Sequence, residues 1–155
     1  MIEIGKAFPE FSLPDQDDKV HKLADYAGKW LVVYFYPRDN TAGCSLEASS
    51  FAGMIERYAT KGTAVVGVSA DSVKSHAKFA EKLGLPFTLL SDTEHTLLES
   101  AGVWQKKKMA GKEYMGIVRS TYIVDPTGKV RASWTKVKVD GHAEAVLAKL
   151  HELQG

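Results

Sequence analysis

Two continuous apolar blocks stand out along the chain, WLVVYFY over residues 30–36 and TAVVGVSA over residues 63–70. Neither alternates with polar residues, which is the pattern of strands covered on both faces of a sheet. Between them Cys44, Ala48, Phe51, Ile55 and Tyr58 recur at spacings of four, three, four and three, one stripe of a helix ending near the TKG of residues 60–62. Strand, helix and strand in that order predict a parallel βαβ unit with Cys44 in the first helical turn. A second helix is expected over residues 72–83, with Asp71 as its candidate cap and Gly84 just past its end. FTLLSD, residues 87–92, predicts a short strand, and the capping-box spacing of Ser91 and Glu94 ahead of Leu97, Leu98 and Ala101 predicts a short helix. STYIVDPTGKVRASW, residues 120–134, alternates on either side of an Asp-Pro-Thr-Gly turn and predicts an antiparallel hairpin at one side of the sheet. Ala143, Val146, Leu147, Leu150 and Leu153 form the apolar stripe of a C-terminal helix. The sum is an α/β fold with a central mixed sheet flanked by helices. Trp30 and Trp134 are expected to close sheet edges, and Tyr34, Phe35 and Tyr36 to fill the core and a strand edge. WQKKKMAGKEYMG, residues 104–116, reads as a basic, solvated loop.

Length and charge narrow the classes. A chain of 155 residues is the size of one domain, expected to span residues 1–155. Its 20 basic and 19 acidic side chains give a net charge of +1, so no strong field draws it to nucleic acid or an anionic membrane. No stretch approaches the roughly 18 apolar residues of a membrane span, and the opening MIEIGKAFPEF has no basic segment followed by an apolar run. A cytoplasmic protein is expected. His21, His76, His95, His142 and His151 lack metal-ligand spacing, so neither a metal nor a cofactor is assigned.

Cys44 is the single cysteine, which excludes an internal disulfide and any site built on C-x-x-C pairs. Free cysteines are among the most buried residues, so an inert core thiol is one reading. The other follows from position. A helix N-terminus presents unpaired N–H groups and the positive end of the dipole, both of which favour a thiolate, the nucleophilic form of the side chain. Thr41, three residues earlier, can cap the helix or aim its hydroxyl at whatever the sulfur meets. Pro37 ends the strand with a fixed φ and no donor.

The element Pro37-x-x-x-Thr41-x-x-Cys44 resembles the active-site motif of peroxiredoxins, and FYPRDNTAGCSLEASSF resembles the version in their bacterioferritin-comigratory, or PrxQ, branch. The similarity runs through GKAFPEFSLPDQDD, VVGVSADSVKSHAKFAEKLGLPFTLLSD and GIVRSTYIVDPTGKV, so it covers the chain. It implies a thioredoxin fold of the peroxiredoxin type with extra N-terminal strands. It also implies that Cys44 attacks a hydroperoxide to give a sulfenic acid, with Arg119 in IVRST as the arginine that reaches the sulfur. Thr41 and the Cys44 N–H would hold the peroxide oxygens, and Pro37 would shield the thiol. Glu47 fits the branch pattern as well, either ordering Arg119 or favouring the helix start.

Two positions depart from that pattern. Ala42 stands where the family often has proline. Ser49 and Ala80 stand where branch members carry a resolving cysteine. The resemblance therefore implies a hydroperoxide substrate and an external reductant: a small thiol, or a thioredoxin-like or glutaredoxin-like protein. A monomer or weak homodimer is expected. Two other classes remain at this point: a cysteine hydrolase using His95 or His142 as base, and a non-enzymatic thioredoxin-fold binding or chaperone protein.

Overall fold

The structure, a computed structural model, describes residues 1–155. Its strands are β1 (Ser12–Pro14), β2 (Val20–Lys22), β3 (Trp30–Phe35), β4 (Thr63–Ser69), β5 (Thr88–Ser91), β6 (Trp104–Met109), β7 (Lys112–Ile117), β8 (Ser120–Val124) and β9 (Val130–Trp134). The helices are α1 (Ala42–Ala52), α2 (Ile55–Thr60), α3 (Val73–Leu83), α4 (Thr96–Ser100) and α5 (His142–Gln154). Five strands form a mixed sheet in the order β5-β4-β3-β8-β9, and β1-β2 and β6-β7 are separate antiparallel pairs. β3 pairs in parallel with β4 and antiparallel with β8, which puts it at the centre.

The absence of polar alternation in β3 has a direct cause, because successive side chains point to opposite faces and both faces are covered. Val32 and Tyr34 pack with Phe51, Phe79, Val146 and Leu150, while Leu31, Val33 and Phe35 pack with Phe8, Leu97, Leu98 and Tyr122. Tyr34 stacks on Phe51 with ring centroids 4.8 Å apart, joining the central strand to α1. Phe35 and Tyr36 are also in the core. Trp134 lies on the edge strand β9, as expected. Trp30 instead begins the central strand, where the Arg131 guanidinium covers its ring at 5.7 Å.

Several local boundaries differ from the sequence expectation. The stripe Cys44 to Tyr58 is carried by two helices, because α1 stops at Ala52 and the chain re-enters a helix after Gly53 and Met54. Glycine is a poor helix former, and Tyr58 is anchored independently by its hydroxyl, which donates to the Ala143 carbonyl at 2.9 Å. The α3 cap is Ser72, which accepts from Ser75 N at 3.1 Å, while Asp71 accepts from Asp39 N and Ser69 Oγ. At α4 no capping box forms; Asp92 Oδ2 accepts from Leu98 N at 2.8 Å and supplies the cap. Residues 104–116 are no loop. They belong to the β6–β7 hairpin, whose two turn residues, Ala110 (φ 52°) and Gly111 (φ 80°), both take the positive φ of a tight hairpin turn. The hairpin of β8 and β9 and the C-terminal helix form where expected, with Ala143, Val146 and Leu150 buried. No helix is long and apolar enough to cross a membrane.

Gly67 in β4 marks how tightly β3, β4 and β5 are packed. A Cβ at this position would lie 2.8 Å from Tyr34 Cζ and 2.9 Å from Leu89 Cδ2. Gly67→Ala is expected to lower the unfolding free energy by about 1–3 kcal/mol through overpacking. Urea denaturation followed by far-UV circular dichroism checks this, and an unchanged midpoint would contradict it.

Candidate active site

The site begins where β3 runs out. Tyr36 N still bonds to the Val68 carbonyl of β4 at 3.1 Å, and the chain then turns through Pro37 to Asn40, which adopts a left-handed φ of 63°. Thr41 follows in an extended conformation at the N-cap position of α1. Its hydroxyl does not cap the helix; it donates to the Arg38 carbonyl at 3.0 Å. A hydroxyl has one proton and two lone pairs, so this bond leaves the lone pairs of Thr41 Oγ1 as acceptors. The first α1 backbone bond runs from Ser45 N to the Thr41 carbonyl, at 2.9 Å. The N–H groups of Ala42, Gly43 and Cys44 consequently have no acceptor within the helix.

Cys44 is 1 % exposed, yet it is no plain core thiol. Arg119 lies between β7 and β8, and the pairing of Phe35 with Ser120 sets it beside the end of β3 and the start of α1. Its Nη2 donates to Cys44 Sγ at 3.3 Å and its Nη1 donates to Glu47 Oε1 at 2.6 Å. Cys44 and Glu47 are three residues apart and share one face of α1, so one planar guanidinium reaches both. Gly43 leaves room for it: a Cβ there would sit 3.3 Å from Arg119 Nη2. The choice left open for Glu47 is thereby decided, because its carboxylate orders Arg119.

The electrostatics follow from enclosure. Burial pushes the Glu47 carboxyl up to about 7, against the opposing pull of Arg119. Burial alone would lower Arg119, but the adjacent Glu47 and Cys44 outweigh it and raise it. Glu47 Oε2 and the Tyr34 hydroxyl are both buried without a hydrogen-bond partner. Burial, followed by the nearby Glu47 and Cys44, raises Tyr34 well above the usual phenol value. The phenol stays neutral.

A set of contacts centred on Asp39, which the sequence does not foretell, fixes the turn that precedes the cysteine. Asp39 Oδ1 accepts from Tyr36 Oη at 2.7 Å, while Oδ2 accepts from Ser75 Oγ at 2.8 Å and meets His76 Nδ1 at 2.7 Å. His76 Nε2 in turn reaches the Leu90 carbonyl at 3.0 Å. Burial opposes ionisation of Asp39, but these bonds hold its carboxyl below the usual range. The pairing of residues 36–39 with 75 and 76 has no short-range sequence pattern; only the helical placement of Ser75 and His76 at the start of α3 could have pointed to it.

The other nominated residues fall as follows. Pro37 is half-buried at the start of the turn and Thr41 is exposed. His95 stacks on Trp104 with centroids 3.9 Å apart, and His142 Nε2 bonds to Thr121 Oγ1 at 2.8 Å. Burial, with the charge of Arg119, lowers His142 to about 4. Neither histidine hydrogen-bonds Cys44, so the constellation of a cysteine hydrolase does not form. Ser49 is exposed on α1 and Ala80 is buried on α3.

A mixed sheet of this order with a thiol held against a guanidinium at a helix N-terminus defines a thioredoxin-fold thiol protein. Residues 4–133 match the AhpC/TSA family. Peroxiredoxin Bcp of Bacillus subtilis strain 168 is 46% identical over 98% of this chain and 97% of its own length. The putative peroxiredoxin bcp of Coxiella burnetii is 44% identical over 96% of this chain and 99% of its own. Among solved structures, a cysteine-to-serine mutant of Xylella fastidiosa PrxQ superposes with a TM-score of 0.95 at 38% identity, covering 100% and 99% of the two chains. The Xanthomonas campestris bacterioferritin comigratory protein, studied for its alkyl peroxide reduction activity, gives a TM-score of 0.90 at 41% identity, covering 94% and 92%. The chain belongs to the AhpC/TSA family, among the peroxiredoxins of the Bcp and PrxQ branch. Membership makes it a thiol-dependent peroxidase.

The elevated Glu47 value has a stability consequence. Between the ordinary carboxyl value of 4.5 and about 7 the folded chain holds a proton on Glu47 that the unfolded chain has lost. The stability contributed by that protonation is present at low pH and disappears as pH rises through about 7. Relative to Glu47→Gln, the native chain is therefore expected to lose unfolding free energy as pH rises from about 4.5 to about 7. Urea titrations of both proteins across that range test it; a constant difference would contradict the assignment.

Proposed function

We propose that this chain, acting as one domain over residues 1–155, reduces hydrogen peroxide and organic hydroperoxides at Cys44 and relies on an external thiol for turnover. The observation that carries this reading is the 3.3 Å approach of Arg119 Nη2 to Cys44 Sγ at the open N-terminus of α1. Guanidinium, helix dipole and unpaired N–H groups all favour negative charge on the sulfur.

The thiolate attacks one peroxide oxygen along the O–O axis. An S–O bond forms, the O–O bond breaks with its electron pair going to the distal oxygen, and the leaving alkoxide or hydroxide takes up a proton to become alcohol or water. Thr41 Oγ1, with its own proton committed to Arg38, accepts from the peroxide O–H. The Cys44 N–H and Arg119 stabilise charge as it spreads onto the oxygens, which is where fixed donors contribute most. To Pro37, half-buried at the start of the turn, we assign the shielding of the sulfur from water.

The product is a sulfenic acid on an enclosed sulfur with no second thiol in the chain. Reduction by an external thiol first gives a mixed disulfide, and a second thiol then releases Cys44. A cytoplasmic, monomeric or weakly dimeric enzyme is the form we assign. An unpaired cysteine is at home in a reducing compartment.

Intact-protein mass after one equivalent of hydrogen peroxide, with and without dimedone, tests the assignment. A single dimedone adduct is expected on the native chain and none on Cys44→Ser. An unmodified thiol after minutes would return Cys44 to a structural role. Arg119→Ala is expected to lower peroxidase kcat/KM at least about tenfold. Because that change strands the buried Glu47, the double variant Arg119→Ala/Glu47→Gln should keep the fold and show the same loss; full activity in it would remove Arg119 from the mechanism.

A further inference from the structure

The β6–β7 hairpin has no part in the peroxide step, but its second strand leads within two residues into Arg119. Pairing of Lys107 with Tyr114, Met109 with Lys112 and Gln105 with Gly116 places these residues on one face. Lys106, Lys108, Glu113 and Met115 occupy the other, where Lys106 and Glu113 approach to 3.6 Å. On the first face the Lys107 stem lies over Gly116, where an added Cβ would meet its Cδ at 3.0 Å. Its Nζ donates to the Ile117 carbonyl at 2.9 Å. Two ammonium protons remain free.

The bond to Ile117 holds the Lys107 ammonium two residues along the chain from Arg119; burial lowers Lys107, the charge of Arg119 lowers it further, and Cys44 pulls the other way. Residues 104–117 hold four lysines against one glutamate, a net +3 in a chain whose total is +1. That glutamate is on the opposite face, and Glu47, the carboxylate at the site itself, is matched by Arg119. Met109 and Tyr114, at 67% and 40% exposure, add apolar surface beside the free cation. That face presents three residues from each strand, two of them lysines, the complement of a small anion rather than of the lysine-depleted centre of a protein interface.

We propose that the external reductant is a small thiol that itself bears carboxylates, received by Lys107, with Lys112 farther out along the same hairpin face. This rests on the peroxidase reading and names the partner for its second half. The thiolate attacks the sulfenic sulfur of Cys44, an S–S bond forms, and the S–O bond breaks to release hydroxide, which is protonated to water. A second thiolate then attacks the small-thiol sulfur of the mixed disulfide, so that Cys44 leaves as thiolate. Two thiols are oxidised to one disulfide for each peroxide reduced, which balances the two electrons.

The test is consumption of preformed Cys44 sulfenic acid by mercaptosuccinate, 2-mercaptoethanol and cysteamine, with rates normalised to thiolate concentration and intrinsic thiol reactivity. Mercaptosuccinate is expected to lead at low salt by at least about fivefold, with the lead shrinking as ionic strength rises. Lys107→Gln should lose most of that lead, Lys107→Arg should keep it, and Lys106→Gln, on the other face, should behave as the native chain. A charge-blind series, or a lead that survives in Lys107→Gln, would overturn the proposal while the peroxidase reading stands. Failure to form sulfenic acid at all would overturn both.

Discussion

The ion pair of Arg119 with Glu47 is the contact on which the chemistry of this site depends. Cys44 and Glu47 come from one turn of α1, whereas Arg119 precedes the neighbouring strand β8 and is set beside them by the antiparallel register of β3 and β8. The 2.6 Å bond to Glu47 holds one arm of the guanidinium so that the other must point at sulfur. At Glu47 the desolvation cost of burial outweighs the attraction of Arg119, and Glu47 Oε2 is left without a partner. The pair contributes little to stability. What it contributes is a fixed positive charge 3.3 Å from Sγ, in a fork geometry that a lysine could not reproduce.

The other wall of the site is held from α3. Asp39 ties the turn 37–41 to Ser75, His76 and, through its own N–H, to Asp71. Each bond satisfies a buried polar group that would otherwise carry a full desolvation penalty. With the turn pinned there, Asn40 is kept in its left-handed conformation and the Thr41 hydroxyl is directed at the Arg38 carbonyl instead of the helix N-terminus. A polar cluster some distance from the sulfur thus sets which lone pairs of Thr41 are left free to accept.

The central architecture was legible because its causes are periodic. β3 and β4 are apolar without alternation since both faces are covered, and the stripes carried by α1 with α2 and by α5 follow the 3.6 repeat. Cys44, Thr41 and Pro37 fell where the strand-to-helix handover placed them. Arg119 did not come from periodicity; it lies 75 residues beyond Cys44 and is joined to it through strand register, so only the family resemblance nominated it. The β6–β7 hairpin has the sequence of a loop because its turn is Ala110-Gly111, lacking the Asn-Gly or Asp-Gly that marks such turns, and because its lysine run lacks alternation. The Asp39 and His76 contact was invisible for the same reason as Arg119: tertiary pairing between loop and helix leaves no spacing to read. The caps at Ser72 and Asp92 show the complementary limit, since several hydroxyl and carboxylate side chains near a helix start compete for the same N–H groups.

The position of Ser49 bears on the fate of the oxidised sulfur. Five residues from Cys44, it lies about 140° around α1, exposed where Cys44 is buried. A thiol at that position would face away from Sγ while the helix stays wound, so even there resolution would need the first turn to open. In this chain nothing internal competes for the sulfenic acid, and two outside reactants do: a reducing thiol, or a second peroxide that carries it on to sulfinic acid. The partition is therefore set by how fast a thiol reaches the sulfur, and the cationic hairpin face we propose as the receiving site would raise the local concentration of anionic thiols without adding to the affinity for neutral hydrogen peroxide.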